Sequence, residues 1–213
     1  MNRFPLSGYF RNGLPFNRHG RGPRPLVVFL GLMFSHEPMP GARFARMFSG
    51  YGFLDEDYTI FLVNRRPDLR QGCTLQDMSD DYAEMIRAEF GGPVDVIGVS
   101  TGGSICLHFA ADHPDLLRRL VVHSGAHRLG EAGKALQLRL AEMARAGNWR
   151  EANAVSMRFL FSRGGKLNPL LRPVIGLGAG LAAAFGAPKD ASAFVATVEA
   201  EDRMAFQSRL GEI

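Results

Sequence analysis

The sequence predicts an α/β fold with a mainly parallel, doubly wound sheet, and three observations carry that expectation. Two uninterrupted apolar runs, residues 25–30 and 58–63, have the length and composition of strands buried on both faces. Leu75, Met78, Tyr82, Met85, Ile86 and Phe90 recur at the spacing of one helical face. A third apolar run, residues 94–99, enters Gly98-Val99-Ser100-Thr101-Gly102, and a helical segment leaves it. Strands that alternate with helices pair in parallel, and ligands then bind at the carboxyl ends of the strands.

Along the chain, the first run exits into Gly31-Leu32-Met33 and the second into Asn64-Arg65-Arg66-Pro67. The helix that follows closes at Gly91-Gly92, a common helix stop. Asp77, Asp80 and Asp81 near its start favour the helix dipole and solvent over a metal. Another strand, 120–122, follows the helix after Gly102. From about 129 to 210 helices replace the alternation. Leu136, Leu140 and Met143 share one face, and Asn148 with Glu151 forms a capping box ahead of Trp149, Ala152, Val155 and Phe159. Residues 173–187 are uncharged and rich in Gly and Ala, yet shorter than the ~18 apolar residues of a membrane span. They read as a lid over a cleft, with a buried helix that touches no ligand as the alternative. In the last helix Glu201 and Asp202 interrupt the apolar stripe of Phe194, Val195, Val198 and Phe206, which predicts pairing with an arginine across the interface, with a cleft-lining role as the alternative.

The chemistry concentrates at Ser100. A strand, a tight turn and a helix around Gly-x-Ser-x-Gly form the context of a nucleophile elbow, in which Gly98 and Gly102 supply the absence of bulk and the serine hydroxyl is lifted above the strand ends. Ser100 is therefore the candidate nucleophile. Gly31 and His123 fall at carboxyl ends of the same sheet.

On these features, together with the His113-Pro114-Asp115 passage into 120–122, residues 8 to 130 resemble the α/β-hydrolase family, in its serine-nucleophile esterase, lipase and peptidase branch. The resemblance implies an oxyanion hole made by the Thr101 amide and by the Leu32 amide, with Met33 as the neighbouring option. The His common before the loop glycine is Leu30 here. It implies a core at 1–128, an inserted helical cap at 129–210, and the start of a further core segment at 211–213. The family places the triad acid and His after its seventh and eighth strands, so the last strands are expected to be missing. The expected parent is ~50–70 residues longer, or else a short protein that has abandoned the triad. The implied function is hydrolysis of a small ester or related acyl substrate through an acyl-Ser100 intermediate, without a cofactor and weak or absent in this chain. A non-catalytic binding module of the same fold is the rival, and acyltransferase or haloperoxidase chemistry is open within the family.

Met33, His36 and His123 are the candidate pocket residues, His36 at the pocket mouth and His123 the first deputy for the missing base. His123 and His127 lack the glutamate of a metal motif, and no metal is expected. His108 and His113 read as structural or solvent-facing, and His19 as solvated in a basic loop. The 213 residues, 46% hydrophobic, suffice for one α/β domain with an inserted subdomain. The net charge of +4 includes Arg3, Arg11, Arg18, Arg21 and Arg24, which form no helical stripe and argue for loop charges rather than nucleic-acid binding. Cys73 and Cys106 make no disulfide framework, and no apolar leader opens the chain, so a cytoplasmic setting is expected. Leaving strand 120–122 as a sheet edge is expected to favour self-association.

Overall fold

The computed structural model describes residues 6–41, 50–163, 188 and 190–213. Its elements are β1 (Ser7–Tyr9), β2 (Pro15–His19), β3 (Arg24–Phe29), β4 (Tyr58–Val63), α1 (Leu75–Phe90), β5 (Val94–Val99), α2 (Thr101–Asp112), β6 (Leu117–His123), α3 (Glu131–Arg145), α4 (Trp149–Arg163) and α5 (Ser192–Asp202). Six strands form one sheet in the order β1-β2-β4-β3-β5-β6. The four strands β4, β3, β5 and β6 are parallel, and β1 and β2 are attached antiparallel at one end.

The buried strands separate their side chains by period two. Val27, Phe29, Phe61, Val63 and Val96 face α1 and α2, where Phe29 stacks on Tyr82 with ring centroids 3.8 Å apart. Leu26, Val28, Ile60 and Leu62 face the opposite way and meet Met39, Tyr51 and Leu54. Helix α1 starts where Thr74 and Asp77 cap each other reciprocally and stops at Gly91, whose φ of +71° is the left-handed conformation of a helix stop.

Strands β1 and β2 correct the reading of the amino-terminal segment as loop. Arg18 and His19 lie on β2 and Arg24 on β3; His19 contacts Asp55 at 2.9 Å, and the Arg24 guanidinium lies over the Tyr58 ring. At the other end of the sheet β6 spans seven residues and pairs only with β5 among the described residues. Val121 and Val122 on it are 54% and 39% exposed.

Helices α3, α4 and α5 share a second core of Leu140, Trp149, Phe194, Val195 and Val198, on which Leu32 and Phe34 pack from the β3 exit loop. Phe34 meets both Trp149 and Phe194 edge-on or tilted, at 5.6 and 4.9 Å. Farther along, Phe206 packs against the His108 ring, and Arg209 pairs with Asp112 at 2.6 Å, which seats residues 206–212 on α2. The 173–187 stretch expected as a lid lies outside the described residues.

Candidate active site

Ser100 stands between β5 and α2 with φ +52° and ψ −121°, a positive φ outside the left-handed helical basin that polar residues usually use. Backbone bonds on both sides fix this turn. The Ser100 N–H donates to the His123 carbonyl at 2.9 Å, and the Ser100 carbonyl accepts from Gly103 and Ser104 at 2.7 and 3.1 Å. Ser100 is exposed, and its hydroxyl makes no hydrogen bond to a described residue.

The glycines on either side are sterically required. A Cβ at Gly98 would fall 2.5 Å from Cys106 Sγ and 2.7 Å from the Gly102 carbonyl oxygen, and one at Gly102 would fall 2.0 Å from the Phe29 carbonyl oxygen. Helix α2 can therefore start hard against the ends of β3 and β5. Gly31 closes the site from the β3 side, since its missing Cβ would meet Ser100 Cβ and the Val99 carbonyl oxygen at 3.2 Å.

The structure thus brings together Ser100, Gly31 with the adjacent Leu32, and Thr101. The Thr101 amide belongs to the first turn of α2, which has no intrahelical acceptor. Among the described residues neither it nor the Leu32 and Met33 amides donate a hydrogen bond. An exposed serine hydroxyl beside unengaged main-chain donors is an arrangement suited to attack on a carbonyl carbon, with the donors holding the oxygen that becomes negative.

The candidate pocket side chains fare differently. Met33 turns into the sheet core with Leu26 and Val28, away from the Leu32 and Phe34 cluster. His36, expected at a pocket mouth, is instead 4% exposed, its Nδ1 at 3.0 Å from the Arg66 carbonyl and its Nε2 buried without a partner among the described residues. His123 is exposed, and its imidazole makes no hydrogen bond to a described residue. Among the described residues no cluster of His, Cys, Asp and Glu could hold a metal ion.

Burial, aided by the nearby Arg65 guanidinium, holds His36 neutral, its pKa lowered to about 3. The unfolded chain binds a proton on this residue below pH ~6.5 and the folded chain does not, so stability falls as pH drops from 6.5 toward 3. Lowering the pH from 7 to 5 is expected to cost on the order of 2 kcal/mol from His36. Urea unfolding at both pH values checks this, and His36→Gln should flatten that part of the slope.

Two buried charged residues at the site carried weak sequence signals. Glu201, 2% exposed on α5, accepts hydrogen bonds from Thr101 Oγ1 at 2.7 Å, Ser104 Oγ at 3.0 Å and Gln137 Nε2 at 3.0 Å. This corrects the expected arginine partner: its direct partners are two hydroxyls and an amide, while Asp202 pairs with Lys134 at 3.6 Å. The interrupted stripe on α5 was the signal. Arg65, 1% exposed, donates from Nη1 to the Leu30 carbonyl at 2.7 Å and from Nη2 to the Gly31 carbonyl at 2.8 Å. Desolvation lowers its pKa, an effect that Tyr82 and Glu201 oppose. Only its place after β4 hinted at a role.

No family model matches the sequence, and no curated protein matches it. Solved structures do. An enol-lactonase from Burkholderia xenovorans is 16% identical over 97% of this chain and 77% of its own, with a TM-score of 0.68. A homoserine O-acetyltransferase from Staphylococcus aureus is 15% identical over 96% and 72%, with a TM-score of 0.67. An α/β-hydrolase enzyme from a deep-sea metagenome is 14% identical over 94% and 72%, with a TM-score of 0.63. The chain has the α/β-hydrolase fold.

Proposed function

We propose that this chain, an α/β-hydrolase by fold, is a serine-nucleophile enzyme of acyl chemistry that hydrolyses a small ester. The observation that carries the reading is the strained, exposed Ser100, whose hydroxyl bonds to no described residue, beside the Gly31 turn and the Thr101 amide. Ser100 Oγ would bond to the acyl carbon while its proton passes to a base. The Leu32 and Thr101 amides would hold the oxyanion, and the alcohol would leave with a proton. Water would then attack the acyl-Ser100 ester and release the acid. The fold neighbours support acyl chemistry in general, because one is a lactonase and one an acetyltransferase.

Among the described residues no basic side chain is hydrogen-bonded to the Ser100 hydroxyl. That observation favours, as a second reading, a binding module that keeps the site without turnover. A fluorophosphonate reports on the choice, since it phosphonylates an activated serine and mimics the oxyanion. Labelling of Ser100, abolished in Ser100→Ala, is the expected result for the enzyme. A folded chain that resists the reagent as Ser100→Ala does would count against an activated serine in this chain and favour the binding module. If labelling occurs, its loss in His123→Ala would identify His123 as the base, and its retention would place the base elsewhere.

A further inference from the structure

We propose that Arg65 and Glu201 are positioning residues for the two oxyanion donors, Arg65 setting the direction of the Leu32 amide and Glu201 that of the Thr101 amide. The inference rests on the reading of Ser100 as a nucleophile.

The argument for Arg65 follows from peptide planarity. The Gly31 carbonyl and the Leu32 N–H belong to one rigid trans unit, in which C=O and N–H point in opposite directions. Holding the Gly31 oxygen at 2.8 Å therefore aims the Leu32 N–H away from the guanidinium, and the second bond, to Leu30 at 2.7 Å, prevents the loop from rolling about the first. Gly31 alone would leave that loop free to turn, having no side chain to anchor it.

Glu201 does the same for the elbow. Thr101 and Ser104 are one turn apart on α2, and their hydroxyls converge on the two oxygens of one carboxylate. That carboxylate also accepts from Gln137, so the first turn of α2 is tied to α3 and α5 together. A negative charge there suits the amino-terminal end of α2 but opposes a second negative charge on the substrate. Arg65 supplies a buried charge of the opposite sign, and Glu201 opposes in small part the lowering of the Arg65 pKa by desolvation. Packing alone would be served at lower desolvation cost by apolar side chains, so two buried charges at this place call for a directional role.

The test compares the unaltered chain with Arg65→Met, Glu201→Ala and Glu201→Gln, using p-nitrophenyl acetate turnover, the rate of Ser100 phosphonylation and thermal melting. Arg65→Met and Glu201→Ala are expected to lower kcat and the phosphonylation rate about ten-fold, a fraction of the ~10²–10³ that loss of an oxyanion donor costs, with KM changed less than about two-fold. Glu201→Gln, which still accepts from Thr101, should recover part of that loss. Where Glu201→Ala does not fold, Thr101→Val removes only the hydroxyl at nearly constant volume, and the same fall in kcat is expected. Folded variants with unaltered kcat, or with a raised KM and constant kcat, would overturn the positioning role while leaving Ser100 in place. An unaltered chain whose Ser100 is not phosphonylated would overturn the nucleophile reading and this inference with it.

Discussion

Gly102→Ala is expected to stop the chain from folding, at a cost above the ~1–3 kcal/mol of ordinary overpacking. The added Cβ would sit 2.0 Å from the Phe29 carbonyl oxygen, 2.5 Å from its carbon and 2.7 Å from the Leu30 carbonyl oxygen. All three are backbone atoms of a strand end that bonds to both neighbours, so no rotamer change relieves the overlap. Either α2 shifts off the sheet or β3 loses register with β4 and β5, and a domain stable by about 5–15 kcal/mol has little reserve for either. Gly133→Ala is the control. Its nearest neighbour would be Leu129 Cδ2 at 3.9 Å, and in helix α3 the change should stabilise by about 0.5–1 kcal/mol. Soluble yield and thermal melting of the two variants decide: a folded Gly102→Ala protein with an unaltered melting temperature would contradict the close approach of α2 to β3.

What could be read in the sequence was what local chemistry determines. Strand β4 was legible because six consecutive residues must be buried on both faces, and α1 because its apolar period marks its face and Gly91 its end, whereas the reciprocal Thr74–Asp77 cap emerges only in the structure. The elbow was legible for the same reason, since its two glycines answer a steric demand within five residues of chain. Strand β2 was not: Pro15-Phe16-Asn17-Arg18-His19 is polar along half its length, and it is a strand because Phe16 to His19 find Val63 to Ile60 across the sheet. His36 was misplaced because its burial depends on Arg66, thirty residues away, and its sequence neighbours Ser35 and Glu37 look like surface. Glu201 shows the limit most clearly. The interruption of an apolar stripe signalled a partner, but hydroxyls a hundred residues earlier in the chain could not be told from an arginine without the fold.

Ser100→Gly is expected to stabilise the chain relative to Ser100→Ala while both lose Ser100 chemistry, on the order of 10⁶ in turnover if the site works as a complete serine centre. Neither variant has a hydroxyl, so the difference between them isolates the Cβ at φ +52° and ψ −121°. A side chain held in such a conformation costs about 1–3 kcal/mol, and the extra freedom that glycine gives the unfolded chain returns about 0.5–1 kcal/mol of that. A gain of roughly 1 kcal/mol for Gly over Ala remains, measurable by urea unfolding. The strain can persist because the bonds to His123, Gly103 and Ser104 determine the turn from both sides, leaving the side chain no way to relax without breaking sheet or helix. A Gly variant no more stable than the Ala variant would show that the turn is relaxed. The exposure of Ser100 would then be a property of an ordinary loop, and the main support for the nucleophile would be gone.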